Sequence, residues 1–178
     1  MDCYTSLAGG YDSLTEDVQY EKRAAFLQKL LAKSTIPVHT VLDLACGTGT
    51  MTCLLAEAGY EMIGVDLSED MLSEAAGKTV SPGKIPPIYL QQSMEELDLY
   101  GTVEAAVCCL DSINYLTDAR ALKRALQRLH LFVAPGGVFL FDVNTPCKLR
   151  SLDGQVFLDE REDLYCVWRA DFDRRSRI

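Results

Sequence analysis

The sequence is short of positive charge. It sets 17 Lys and Arg against 26 Asp and Glu, a formal net charge of −9, with a sequence pI near 4.7. Duplex nucleic acid carries about one negative charge per 1.7 Å of its axis, so a partner for it needs a concentrated basic face. The one basic cluster, Arg169, Arg174, Arg175 and Arg177, is interleaved with Asp171 and Asp173 and reads as a solvated tail or strand end. Nucleic acid is therefore not an expected partner; a small molecule or a protein is.

Long apolar runs are missing too. No stretch approaches the roughly 20 apolar residues of a membrane helix, so no membrane partner is expected. The opening Met1-Asp2-Cys3-Tyr4 has neither the basic region nor the apolar block of a secretory signal. The expected location is cytoplasmic. Metal and disulfide spacing is also absent. The seven cysteines, at 3, 46, 53, 108, 109, 147 and 166, are odd in number and form no CxxC pair. They read as small buried hydrophobes, and no metal site is expected. Cys46 reads as a small residue that fits a turn. Only two histidines occur, His39 and His130, and neither is placed as a catalytic base.

What is present suits one soluble-type domain. A chain of 178 residues can bury roughly 70% of its unfolded surface, and 48% hydrophobic with 24% charged residues is ordinary for such a fold. Helical and strand patterns alternate, which predicts a parallel sheet covered by helices on both faces. Tyr20, Ala24, Leu27 and Leu31 predict a helix over 17–33. Strands are expected at 40–44, 61–66, 88–91, 103–110 and 138–143. Between them come a helix carrying Met51, Leu54, Leu55 and Ala58 and ended by Gly59, a helix capped by Ser68 and running to about Gly77, and one over 118–133. Pro135-Gly136-Gly137 is expected to turn the chain into the fifth strand. Two further strands, at 155–158 and 164–172, are expected outside the parallel sheet.

The chemistry gathers at Val41-Leu42-Asp43-Leu44-Ala45-Cys46-Gly47-Thr48-Gly49-Thr50. An apolar strand enters a turn with two glycines and a helix begins at once. Such a turn lets a ligand approach backbone closely and offers it free N–H groups. The dinucleotide fingerprint G-x-G-x-x-G fails at its third position, Thr52, which disfavours a pyrophosphate and with it a nicotinamide-linked oxidoreductase. Asp66 ends the second strand, and a carboxylate there can accept hydrogen bonds from both hydroxyls of a ribose. Asp43 and Asp66 are costly beside apolar strands unless they have a partner, so both are expected to act on a ligand.

The run VLDLACGTGT followed by GVDLSEDML resembles the first two motifs of class I S-adenosylmethionine (SAM) dependent methyltransferases. QQSMEELDL is similar to the third cofactor-contact region, and CCLDSINYL and LFVAPGGVFLFDVNT resemble the segments around strands four and five. YDSLTEDVQY looks like the lid helix of the small-molecule subgroup. The likeness covers about residues 4–170. It implies an α/β, Rossmann-like, doubly wound and mostly parallel sheet of strand order 3-2-1-4-5, with extra β strands near the C-terminus. It further implies a lid segment over 1–34, a SAM-binding core over 35–145 and a partial β extension over 146–178.

The same resemblance implies roles. Ala45, Cys46 and Gly47 hold the methionine end of SAM, with Gly49 completing the turn, and Asp43 anchors its amino group. Asp66 takes the ribose, Leu67 and Met71 pack on the adenine, and Ser93 and Met94 flank its edge. Leu110 and Asp111 lie beside the methionine part, and Tyr11 closes over the cofactor. Asn114, Tyr115 and Asn144 are acceptor-side candidates, because ligands in open α/β sheets bind beyond the carboxyl ends of the strands. The implied activity is methyl transfer to a small molecule, with S-adenosylhomocysteine (SAH) as product. A SAM-fold interaction protein without catalysis is the alternative. The family pattern would add a helix and two strands after residue 170, and this sequence ends at Ile178. An edge strand left open in that way is expected to invite self-association.

Overall fold

The computed structural model describes residues 7–160 and 165–173. These fall into two compact units, 1–142 and 143–178, each described by itself. In the first unit α1 (Ala8–Leu14), a 3₁₀ turn (Glu16–Val18) and α2 (Tyr20–Leu31) precede β1 (Thr40–Leu44), α3 (Thr50–Glu57), β2 (Glu61–Asp66), α4 (Glu69–Gly77) and β3 (Ile88–Gln91). Next come β4 (Val103–Cys108), α5 (Ala119–Phe132) and β5 (Val133–Phe141). The five strands form one parallel sheet in the order β3-β2-β1-β4-β5; the alternating pattern predicts the parallel sheet and the family resemblance implies this order.

Alternation within the two central strands splits the core between the faces of the sheet. Val41 of β1 and Ala105 and Val107 of β4 pack with Ala24, Leu27 and Leu31 of α2 and Met51 and Leu55 of α3. Leu42 and Leu44 of β1 and Val103, Ala106 and Cys108 of β4 pack on the other face with Val65, Leu97 and Leu129 of α5. The strand tips therefore converge at one rim. Leu44 pairs with Val65, so Asp66 emerges one residue past the end of β1, beside the bend that follows it.

Several boundaries move, each for a local reason. The helix expected over 17–33 begins at Tyr20, because Gln19 is left-handed (φ 57°). The segment likened to a lid helix at Tyr11–Tyr20 is instead α1, which starts at Ala8, and the 3₁₀ turn. β4 stops at Cys108 rather than Leu110, since Leu110 and Asp111 both turn left-handed. Pro135-Gly136-Gly137 does not precede β5 but lies inside it. Val133 pairs with Val103, and pairing resumes at Ala105 with Val138 after a register shift. A Cβ on Gly137 would stand 2.5 Å from the Glu104 carbonyl oxygen, so the strands can approach there only around glycine.

The second unit holds α6 (Pro146–Leu152) and an antiparallel pair, β6 (Val156–Glu160) with β7 (Tyr165–Arg169). The pair forms its own two-stranded sheet, as expected. Thr145 caps α6 by accepting from the Lys148 N–H (3.3 Å), and Pro146 opens the helix. Arg169 pairs with Asp171 (3.0 Å), while Arg174, Arg175 and Arg177 lie outside the described residues, as does Leu164. Among the described residues no helix is long and apolar enough to cross a membrane.

Candidate functional site

The bend after β1 and the tip of β2 are joined through a carboxylate. The Gly47 N–H donates to Asp66 Oδ2 (2.8 Å) and the Ser68 N–H to Asp66 Oδ1 (2.9 Å). The Cys46 N–H donates to the Val65 carbonyl (3.0 Å). Two backbone amides thus fix the plane of the Asp66 carboxylate, yet each oxygen keeps a second lone pair for a ligand. The bend itself is left-handed at Ala45 (φ 61°), Gly47 (φ 54°) and Gly49 (φ 72°).

Asp43 sits below this bend, 1% exposed. Thr52 of α3, wholly buried, donates its hydroxyl to Asp43 Oδ2 (2.6 Å). The residue that breaks the dinucleotide glycine pattern therefore serves as the partner of the buried acid. Burial raises the Asp43 carboxyl, the Thr52 hydrogen bond lowers it and Asp66 raises it again, with a net pKa of about 6. Ionised Asp43 consequently favours the arrival of a cation.

Across the rim, Leu110 (φ 57°) and Asp111 (φ 51°) turn the end of β4 outward, and the Asp111 N–H donates to Asp142 Oδ2 (3.2 Å). Non-glycine residues in this region carry strain of about 1 kcal/mol or more and collect at functional sites. Here two of them, Ala45 and Leu110, line one cavity, and Asp111 follows Leu110 directly. That cavity has a volume of about 390 Å³, within the range of about 300–1,000 Å³ usual for ligand pockets. Among the described residues its lining includes the acids Asp43, Asp66 and Glu95 and no Lys, Arg or His. A pyrophosphate would meet carboxylates there; a sulfonium, an ammonium and a diol would meet suitable partners.

α1 closes one side. Its Tyr11 reaches the cavity, and burial, followed by Tyr20, Tyr115, Asp111 and Asp66, pushes the phenol well above its usual range. The adjacent Asp12 does not line the cavity but bonds to two residues that do. Its Oδ1 accepts from the hydroxyls of Thr48 (2.6 Å) and Thr50 (3.1 Å), and its Oδ2 pairs with Lys78 Nζ (2.5 Å). Lys78 Nζ also donates to Thr50 Oγ1 (2.6 Å). Burial alone would raise the Asp12 carboxyl, but the bonds from Lys78, Thr48 and Thr50 outweigh it and hold it below its ordinary value.

Tyr11, Asp43, Ala45, Cys46, Gly47, Asp66, Leu67, Met71, Ser93, Met94 and Leu110 all line the cavity, and so does Tyr115. Gly49, Asp111 and Asn114 do not line it. Gly49 is glycine because its backbone is left-handed and a Cβ would lie 2.5 Å from Tyr89 Oη. Asp111 precedes the 3₁₀ turn Ser112–Tyr115, and its neighbours Leu110 and Ser112 face the cavity instead. Asn144 belongs to the second unit. Burial, then Asp43 and Asp66, pushes the Cys46 thiol far up, which suits a turn residue and not a nucleophile. Sequence reasoning does not single out Tyr20, Thr48, Thr50, Gln92, Glu95 and Ser112 as lining residues, although each lies inside one of the segments that carry the resemblance, and that membership is the available signal.

A doubly wound sheet whose first two strand tips hold a backbone bend and an amide-tethered carboxylate beside an acidic pocket defines an α/β domain with a ligand cavity at its strand tips. Residues 41–137 match the family described as Methyltransferase domain, and the chain belongs to that family. It is 34% identical over 169 residues to YqeM of Bacillus subtilis (strain 168), which carries the name of a methyltransferase with no acceptor stated. That match covers 94% of this chain and 66% of YqeM. A dTDP-3-amino-3,6-dideoxy-alpha-D-glucopyranose N,N-dimethyltransferase of Streptomyces fradiae is 31% identical over 69% of this chain and 46% of its own length. The crystal structure of a S-adenosylmethionine-dependent methyltransferase from Clostridium acetobutylicum ATCC 824 superposes with a TM-score of 0.81 at 33% identity, covering 97% of this chain and 70% of that one. The chain thus spans about two thirds of YqeM's length.

Proposed function

We propose that this chain binds SAM in the cavity at the strand tips and transfers its methyl group to a small-molecule acceptor. The observation that carries the reading is Asp66. Its carboxylate is oriented by the Gly47 and Ser68 amides, lines the cavity and keeps lone pairs for two hydroxyls. The acidic lining, free of basic residues among those described, supports a cationic cofactor over a dinucleotide.

In this reading Asp66 takes the ribose, Leu67 and Met71 cover the adenine, and Ser93 and Met94 border its edge. Ala45, Cys46, Gly47 and Leu110 line the methionine end, Asp43 answers its ammonium, and Tyr11 closes over the whole. Gly49 and Asp111 act one step back, shaping the two rims. Tyr115 and Asn114 are the acceptor-side candidates within this unit. Bound SAM supplies a methyl group on a sulfonium whose leaving group is a neutral thioether. No residue need protonate that leaving group, so the protein's task is alignment and exclusion of water. Alignment can contribute up to about 7–11 kcal/mol in the best intramolecular cases. The small-molecule class of acceptor is supported by a relative named for an amino sugar.

The test is incubation with methyl-labelled SAM and pools of small amines and hydroxyl compounds, reading label transfer and SAH release. Transfer to one pool is expected. Failure of every pool, together with no measurable SAH binding, would sink the proposal.

A further inference from the structure

α1 is a poor helix by itself. It has seven residues with Gly9 and Gly10 in its first turn, no side-chain cap at Leu7 and no acidic residue there. Each glycine costs about 0.5–1 kcal/mol relative to alanine in a helix interior, and so short a helix does not persist alone in water. Ala8 is its single fully buried residue, with Tyr11 and Leu14 half-buried. What fastens it is polar. Asp12 meets Thr48 in the bend, Thr50 at the first turn of α3 and Lys78 just past α4. One carboxylate therefore ties α1 to two segments, the bend running into α3 and the residue that follows α4. Tyr11, its neighbour in the same helical turn, lines the cavity.

We propose that Asp12 is a positioning residue: by gripping Lys78, Thr48 and Thr50 together it holds α1 closed, which sets Tyr11 over the bound cofactor and slows the cofactor's escape. The proposal rests on the reading of the cavity as a SAM site. Asp12 touches neither cofactor nor reacting atoms; its effect passes through Tyr11 and the bend. The side chains of Lys78 and Asp12 are 26% and 47% exposed, so salt can screen the grip, as it does for surface ion pairs. The helix it holds carries few apolar anchors, so loosening that grip frees α1 without unfolding the sheet beneath. Local opening of this kind is expected where apolar contacts are few.

The experiment measures SAH dissociation from the full chain by surface plasmon resonance, with amide hydrogen exchange of residues 8–14 in the ligand-free protein alongside. Asp12→Asn and Lys78→Met should each speed SAH release about tenfold and raise exchange in 8–14, while melting temperature changes little. Lys78→Arg should keep release slow. Added salt should speed release from the wild-type chain and leave Asp12→Asn unmoved. Unchanged release rates and exchange in both Asp12→Asn and Lys78→Met would overturn the latch. A wild-type chain that fails to bind SAH would instead sink the cofactor reading, and this role with it.

Discussion

The floor and the cover of the cavity are built on opposite principles. The floor is made of strand tips whose polar groups are buried or held by backbone, as in the Asp43–Thr52 pair and the two amides on Asp66. The cover, α1, is a glycine-containing helix with no side-chain cap at its N-terminus, held by half-exposed side chains. A rigid floor sets which ligand is preferred and how tightly. A weakly held cover sets how fast that ligand comes and goes. The division predicts that mutations below change affinity or folding, whereas mutations above change rates.

The comparison breaks most easily at Asp66. Asp66→Ala should weaken SAH binding by at least about a hundredfold in calorimetric titration, because two hydroxyl partners and the tether of the bend are lost together. Gly49→Ala comes next and should act on stability. Its Cβ would meet Tyr89 Oη at 2.5 Å and Ala75 Cβ at 2.9 Å, on a backbone at φ +72°. A loss of about 2–3 kcal/mol in urea unfolding is expected, partly recovered by Tyr89→Phe.

Asp43 sharpens the comparison through pH. Its folded pKa, about 6, lies above the ordinary 3.8, so the folded state holds this proton more tightly than the unfolded chain. Stability from Asp43 is full below about pH 4 and is lost as pH rises toward and past 6, by up to about 3 kcal/mol. Asp43→Asn should remove that slope, so unfolding curves of the two proteins should diverge between pH 4 and 6 with the wild type losing ground. A cationic ligand should reverse the sign, binding the wild type more tightly above pH 6. The smallest effect belongs to the cover: Tyr11→Phe should change SAH affinity less than about threefold, since the ring that closes the cavity is retained.

The sequence exposed the floor far better than the cover. The pattern bounds β1, β2 and β3 correctly at both ends and places the cap at Ser68, because short runs followed within three residues by Gly47, Ser68 and Ser93 carry their signals locally. The Ser68 hydroxyl does accept from the Met71 N–H (3.4 Å). Thr52 was noticed for the glycine it replaces and not for the acid it satisfies, a contact between strand and helix that no periodicity announces. The latch is invisible for a simpler reason: Asp12 and Lys78 are far apart in the chain, and the resemblance sets the lid helix at Tyr11–Tyr20, past the Gly9-Gly10 pair with which α1 begins. β5 was misplaced because Pro135-Gly136-Gly137 reads as a turn, and only the close approach of Glu104 shows that glycine is required within the strand. α6, a single short helix with few apolar residues, left no stripe to detect.

A comparison of SAH with its 2′-deoxy analogue would probe the Asp66 assignment most directly. The wild-type chain should bind the deoxy compound about tenfold or more weakly, and Asp66→Ala should treat the two compounds alike. Equal binding of both compounds by the wild type, or a preference that survives Asp66→Ala, would contradict the assignment of this carboxylate to a ribose.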